Sequence, residues 1–132
     1  MRGRSRSIVP AFWATFYQET HIPAAILAEG RLYVTGHTGT LDDGSFPDGA
    51  EAQIRQTFRN IGTTLAEAGA SWDDVVELRT YHVNLADQGE VLLRVAAEFL
   101  DDPYPAWTAS GVAELFEPEA LVEVSCLALI AE

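Results

Sequence analysis

One carboxylate interrupts an otherwise apolar run. Glu123 stands in Leu121-Val122-Glu123-Val124, and the chain continues through Cys126, Leu127 and Ala128 to Ile130. A carboxyl drawn into such surroundings has its pKa raised unless it is paired, which suits a general acid or base. The other reading is a structural acceptor for backbone or hydroxyl donors at an interface. His37, in Thr35-Gly36-His37-Thr38-Gly39, offers a neutral imidazole that can donate to or accept from a ligand, or else a strand-end histidine facing solvent. His21 and His82 stand alone, and the three histidines share no ligand-type spacing, so no metal site is expected. Trp107 has a large amphipathic ring with one donor, able to stack on an unsaturated ligand or to plug a cleft. Thr108 and Ser110 place hydroxyls nearby in sequence, although alternation puts Thr108 on the opposite face from Trp107. Neither a Ser-His-Asp nor a Cys-His arrangement is recognisable from residue order. Cys126 lies within the apolar run and reads as core.

Composition narrows the chemistry. The formal charge is −12, and setting aside Arg2, Arg4 and Arg6 leaves −15 for the body of the chain. Such a body repels phosphate backbones, so nucleic acid is not an expected partner. There is no lysine, which excludes a lysine Schiff base, pyridoxal phosphate linked in the usual way and a P-loop. No cofactor is expected. A single cysteine rules out an intrachain disulfide. No long apolar window predicts a membrane span, no apolar run follows the N-terminal arginines to make a signal peptide, and the cytoplasm is the expected compartment.

The 132 residues predict a basic tail over 1–15 and one domain over 16–132. Ala25–Ala28 and Leu32–Thr35 flank Glu29-Gly30 as a β-hairpin, and Gly39–Gly49 reads as an exposed loop. Asp48 with Glu51 resembles a capping box, and Ile54, Phe58, Ile61 and Leu65 then line one face of a helix that Gly69 ends. Glu51, Arg55 and Arg59 are spaced to pair on its other side. Val75–Leu85 reads as a strand with Val76 and Leu78 on one face and Tyr81, Val83 and Leu85 on the other. Asp87 with Glu90 repeats the capping pattern ahead of a stripe of Leu92, Val95, Ala96 and Phe99, and Asp101-Asp102-Pro103 is read as the helix breaker. Strands follow at Ala106–Ala113 and Leu121–Ile130. The order β-β-α-β-α-β-β predicts an α+β domain, a mixed sheet with two helices on one face. The opposite face, apolar in part, then requires a cover, and self-association supplies one.

Three anchors carry a family resemblance: Gly30-Arg31-Leu32-Tyr33-Val34-Thr35-Gly36; Ala66 through Val76; and Tyr104-Pro105-Ala106-Trp107-Thr108 with the last strand. Together they resemble the RidA (YjgF/YER057c/UK114) family of enamine/imine deaminases from about Ala24 to the C-terminus. The resemblance implies a chorismate-mutase-like fold, a homotrimer whose sheets form a central barrel, and small clefts between subunits. It also implies an arginine after Pro-Ala that clamps a substrate carboxylate. A glutamate on the last strand handles the attacking water, and a tyrosine and an asparagine complete the pocket.

On these positions the glutamate is matched by Glu123, the arginine by Trp107, the tyrosine by Ile22 and the asparagine by Leu93. Ala109 stands where many members have cysteine, and one residue is inserted around Phe116–Pro118. Gly36, His37 and Thr108 complete the expected cleft. The expected function is binding of a small, neutral or weakly polar unsaturated metabolite between subunits, with enamine/imine hydrolysis or tautomerisation promoted by Glu123 and His37. A non-catalytic metabolite-binding or accessory protein is the alternative. Arg31 or Arg79, reaching across a subunit seam, would be the candidates to replace the missing clamp.

Overall fold

The computed structural model describes residues 4–131. Six strands, β1 (Ser5–Ile8), β2 (Ala25–Ala28), β3 (Arg31–His37), β4 (Val75–Val83), β5 (Ala106–Val112) and β6 (Val122–Leu129), form one sheet in the order β1-β2-β3-β6-β4-β5. Only the β4–β5 pair is parallel; the other neighbours are antiparallel. The helices are α1 (Ala14–Thr20), α2 (Ala50–Glu67) and α3 (Leu85–Ala96). α2 packs against β3 and β6, α3 against β4 and β5, and the two helices touch each other, so one face of a mixed sheet is covered. This is the expected α+β architecture.

Its core forms where the periodicities place it. Ile54, Phe58, Ile61 and Leu65 of α2 are fully buried against the inward residues Leu32, Val34, Val122, Val124 and Ala128. Each such side chain is worth about 1.5–3 kcal/mol of burial. The β2–β3 hairpin turns through Glu29 and Gly30, both at positive φ (52° and 76°), the geometry a two-residue turn needs to match strand twist. At the end of α2, Gly69 adopts φ 82° while Ala70 N–H reaches back to the Leu65 carbonyl at 2.8 Å. On the outer side Arg55 pairs with Glu51 (3.2 Å) and with Glu98, and Arg94 with Glu51 (3.1 Å), tying α2 to the end of α3.

Four local expectations need correction. The expected tail is largely structured: Ser5–Ile8 add β1 to the edge of β2, and Ala11–Trp13 form a short 3-10 turn leading into α1. Arg2 lies outside the described residues. Neither helix has the expected capping box, because α2 starts after Gly49 and α3 after Asn84, with no side-chain cap at either. A capping box does form at Ser71–Asp74, ahead of β4. In β4 a register shift between Val75 and Glu77 makes Val76 the extra residue, 42 % exposed, so Val75 and Leu78 are the inward pair. Leu85 has left the strand and opens α3.

A polar chain crosses the helix-covered side at β4 and β5. Gln88 Nε2 donates to the carbonyls of Val83 (2.6 Å) and Leu121 (3.1 Å), so its Oε1 must accept from His82 Nδ1–H at 2.8 Å. His82 Nε2 then accepts from the Thr80 hydroxyl at 2.8 Å, and that hydroxyl accepts from the Trp107 indole N–H at 3.0 Å. Every donor has one acceptor only if His82 is neutral, and burial holds its pKa below the ordinary value. Thr80→Val leaves both the Trp107 N–H and His82 Nε2 without partners. It should lower stability in urea unfolding by about 2 kcal/mol, and an unchanged midpoint would contradict the chain as drawn.

Candidate functional site

At one end of the sheet, β3 and β6 lose their regular register. Val34 pairs with Cys126 and His37 with Val124, so Thr35 and Gly36 together face Ser125. Such a bulge redirects side chains and opens space beside the ladder. Glu123, opposite Tyr81 on β6, points to the face away from α2 and α3 and lies against the backbone of Gly36. A Cβ at Gly36 would sit 2.7 Å from the Glu123 carboxyl carbon, so the absence of a side chain there makes the room for the carboxylate.

A cavity of about 400 Å³ opens in front of this pair. Its walls are aromatic on one side, with Phe12, Trp13 and Phe16 from the N-terminal segment and Phe116 from the β5–β6 loop. Trp13 meets Phe16 at 5.1 Å and 77°, and Phe16 meets Phe116 at 6.4 Å and 82°. The N-terminal segment is anchored by the Trp13 indole N–H to the Ile22 carbonyl (2.8 Å), and beside it the Thr35 hydroxyl donates to the Pro23 carbonyl (2.7 Å). The opposite wall runs through Thr38, Thr40 and Leu41, and Asn60 of α2 fixes it by donating to the carbonyls of Thr38 (3.0 Å) and Thr40 (2.9 Å). Glu117 completes the rim and accepts from the Thr38 hydroxyl at 2.7 Å.

Glu123 is half-buried, and among the described residues its carboxylate accepts no hydrogen bond. Burial, and secondarily the charge of Glu117, push its pKa above the ordinary value. His37 is a different case. It forms the floor, 1 % exposed, beneath Trp13 at 4.5 Å between ring centroids. Its Nδ1–H donates to the Thr35 carbonyl (2.6 Å), so Nε2 accepts from the Thr64 hydroxyl (2.8 Å). Burial lowers its pKa to about 4. Both ring nitrogens are thus committed to the fold, and the expected proton-transfer role does not fit this geometry.

The structure brings Ile22, Gly36, His37 and Glu123 together around the cavity. It does not bring Trp107, Thr108 or Leu93 there. Trp107 pairs in register with Leu78 and lies on the helix-covered side, bonded to Thr80, rather than stacking in or plugging the cavity. Thr108 shares the open face with Arg79, and Leu93 is 64 % exposed on α3. Arg79 pairs with Glu77 at 3.3 Å beside a separate open-face hollow, Arg31 is exposed at the start of β3, and neither lines the cavity. Cys126 is core, its thiol pushed up to about 12 by burial. Sequence reasoning missed the aromatic wall and Glu117. The signal for the wall was present, since Phe12, Trp13, Phe16 and Tyr17 fall within six residues, a density that a solvated tail does not support.

A six-stranded mixed sheet, two packed helices on one face and a ligand-sized cavity at the β3–β6 bulge define a small α+β protein with a candidate ligand pocket. The family model described as Endoribonuclease L-PSP matches residues 15–130. RutC family protein YjgH of Escherichia coli is 36 % identical over 107 residues, covering 80 % of this chain and 82 % of that protein. The solved structure of protein YjgH superposes with a TM-score of 0.89 at 32 % identity, covering 98 % of both chains. A 2-iminobutanoate/2-iminopropanoate deaminase of Dermatophagoides farinae is 28 % identical over 126 residues, 96 % of this chain and 94 % of that one. The chain belongs to the RidA/YjgF family.

The neutrality of His37 has a measurable consequence. Its pKa of about 4 in the fold lies below the unfolded 6.5, so the unfolded chain binds the extra proton first as pH falls. The stability that the neutral imidazole contributes is fully present above 6.5 and lost between there and about 4. Urea unfolding of the chain and of His37→Gln should show a stability difference that shrinks by about 3 kcal/mol across that window. A difference independent of pH would mean that the imidazole is not held neutral.

Proposed function

We propose that this protein binds a small unsaturated metabolite in the Gly36–Glu123 cavity and that Glu123 is the acid/base group for hydrolysis of an enamine or imine, or for its tautomerisation. The observation that carries the reading is the unpartnered, partly desolvated Glu123 carboxyl at the back of an open aromatic cavity. A carboxyl whose pKa is raised by burial is better matched to acid/base work than an ordinary surface carboxylate. In hydrolysis, Glu123 as carboxylate takes a proton from water while the oxygen bonds to the imine carbon and the C=N π pair moves to nitrogen. Returned to nitrogen, that proton gives the carbinolamine. The hydroxyl proton then passes by way of Glu123 to nitrogen as the C=O forms and the C–N bond breaks, and the net change is imine plus water to carbonyl compound plus ammonia. The deaminase name borne by the Dermatophagoides relative supports this reaction class.

The substrate is set apart from 2-imino acids by what the cavity lacks. The position where the family resemblance places a carboxylate-clamping arginine is Trp107, and among the described residues no arginine lines the cavity. A second reading, binding without turnover, is favoured by that same lack. RNA cleavage, suggested by the name of the family model, is disfavoured by a net charge of −12.

The oligomer we propose is a homotrimer formed through the open sheet face, where Tyr33 and Leu129 are each 48 % exposed. Light scattering after size exclusion should give about three times the 14.4 kDa chain mass, and a monomer mass would contradict this assembly. With imines generated in place by an amine or amino-acid oxidase, the protein should accelerate release of the carbonyl product. Glu123→Gln should reduce that acceleration by about 10²-fold or more. Gly36→Ala should reduce it by about tenfold or more at near-normal stability, because the new methyl displaces only the flexible end of Glu123. Acceleration that survives Glu123→Gln would end the acid/base role of Glu123, and ligand binding without turnover would favour the second reading.

A further inference from the structure

We infer that the occupant of this cavity carries a protonated nitrogen and no carboxylate, an ammonium or iminium compound of small size, a substrate class that rests on reading the cavity as the ligand site. Two independent features of the walls point the same way. The first is charge of a single sign: Asp42, Glu117 and Glu123 line the cavity, and among the described residues no arginine does. Lysine is absent from the whole chain, and the one histidine of the lining, His37, has both nitrogens bonded within the fold. Within one subunit a bound anion would therefore meet carboxylates with no compensating cation among the described residues, while a cation would relieve the repulsion between Glu117 and Glu123.

The second feature is the aromatic side. Phe12, Trp13, Phe16 and Phe116 surround the same space, and successive rings stand at 90°, 77° and 82° to one another. Rings turned through near right angles present π surface from several directions, and π faces attract ammonium groups, although Phe116 is itself 81 % exposed. An aromatic wall alone would suit any apolar ligand, and carboxylates alone would suit a solvated rim. Their combination around about 400 Å³ selects an organic cation. The overall charge of −12 adds a long-range field that draws cations toward the molecule.

An iminium fits the chemistry of Glu123 as well. Addition of water to a protonated C=N needs a base for the water proton, and the carboxylate form of Glu123, favoured by the bound cation, is that base. The reactive nitrogen enters already protonated, so no second acid is required for the addition step, and the absence of a free histidine in the cavity is no obstacle.

Three matched six-membered probes test the inference by calorimetry on the full chain at neutral pH: piperidine as its ammonium ion, cyclohexanol and cyclohexanecarboxylate. Piperidinium should bind about tenfold or more tightly than cyclohexanol, a difference of about 1.4 kcal/mol, and cyclohexanecarboxylate should bind most weakly. Glu117→Gln keeps an acceptor for the Thr38 hydroxyl and should lower piperidinium affinity several-fold, with cyclohexanol unaffected. Phe16→Leu should also weaken piperidinium more than cyclohexanol, and it serves if Glu117→Gln fails to fold. Equal affinities, or preference for the carboxylate, would overturn the inference. Charge selectivity without any imine turnover would uphold it while ending the catalytic reading. Glu123-dependent turnover without charge selectivity would overturn the inference alone.

Discussion

The contact between Glu123 and the bare backbone of Gly36 is the constraint on which the site depends. β6 is a core strand whose alternate residues Val122, Val124, Cys126 and Ala128 are buried, so its register is fixed by the apolar face. Glu123 must then project to the other side, at the point where β3 bulges. With a side chain at position 36 the carboxylate would be driven out into solvent. With glycine it stays half-buried, without a donor and near a second carboxylate. The altered acidity follows from that placement, and the proposed preference for a cation rests on it.

Around this contact the fold supplies rigidity rather than further reacting groups. His37 lies close enough to be mistaken for a partner of Glu123, yet its imidazole is spent on joining β3 to α2 through Thr64 and on supporting Trp13. Asn60 fixes the Thr38–Thr40 wall from the same helix. On the far side of the sheet, Trp107 completes the Thr80–His82–Gln88 chain. The residue standing where a carboxylate clamp is expected from the family pattern has become part of the structural core of this chain.

The main sheet and both long helices were legible because each rests on a strong periodic pattern: the Ile54–Leu65 stripe, the nearly continuous apolar run of β6 and the Glu29-Gly30 turn. What was not legible depended on departures from period. The extra residue at Val76 reversed the expected inward partner of Leu78, and the bulge at Thr35-Gly36 created the cavity without any mark in the local pattern. Glu123 was identifiable as a lone charge in an apolar strand. Glu117 was hidden in a polar loop whose path only the tertiary structure defines. Phe12 and Trp13 were assigned to a tail because the arginines ahead of them read as a charged segment, and the boundary at 15/16 divided the cluster at Phe12–Tyr17.

The central claim is that Glu123 is a desolvated carboxyl whose acidity is set by the Gly36 cradle and by Glu117. Its direct test is a carbon NMR titration of the glutamate side chains, with Glu123→Gln used to assign the signal. The account predicts a midpoint clearly above the ordinary 4.5, moving down in Glu117→Gln as the neighbouring charge is removed. A midpoint at or below 4.5, unmoved by Glu117→Gln, would mean a solvated or partnered carboxylate and would contradict the site as described.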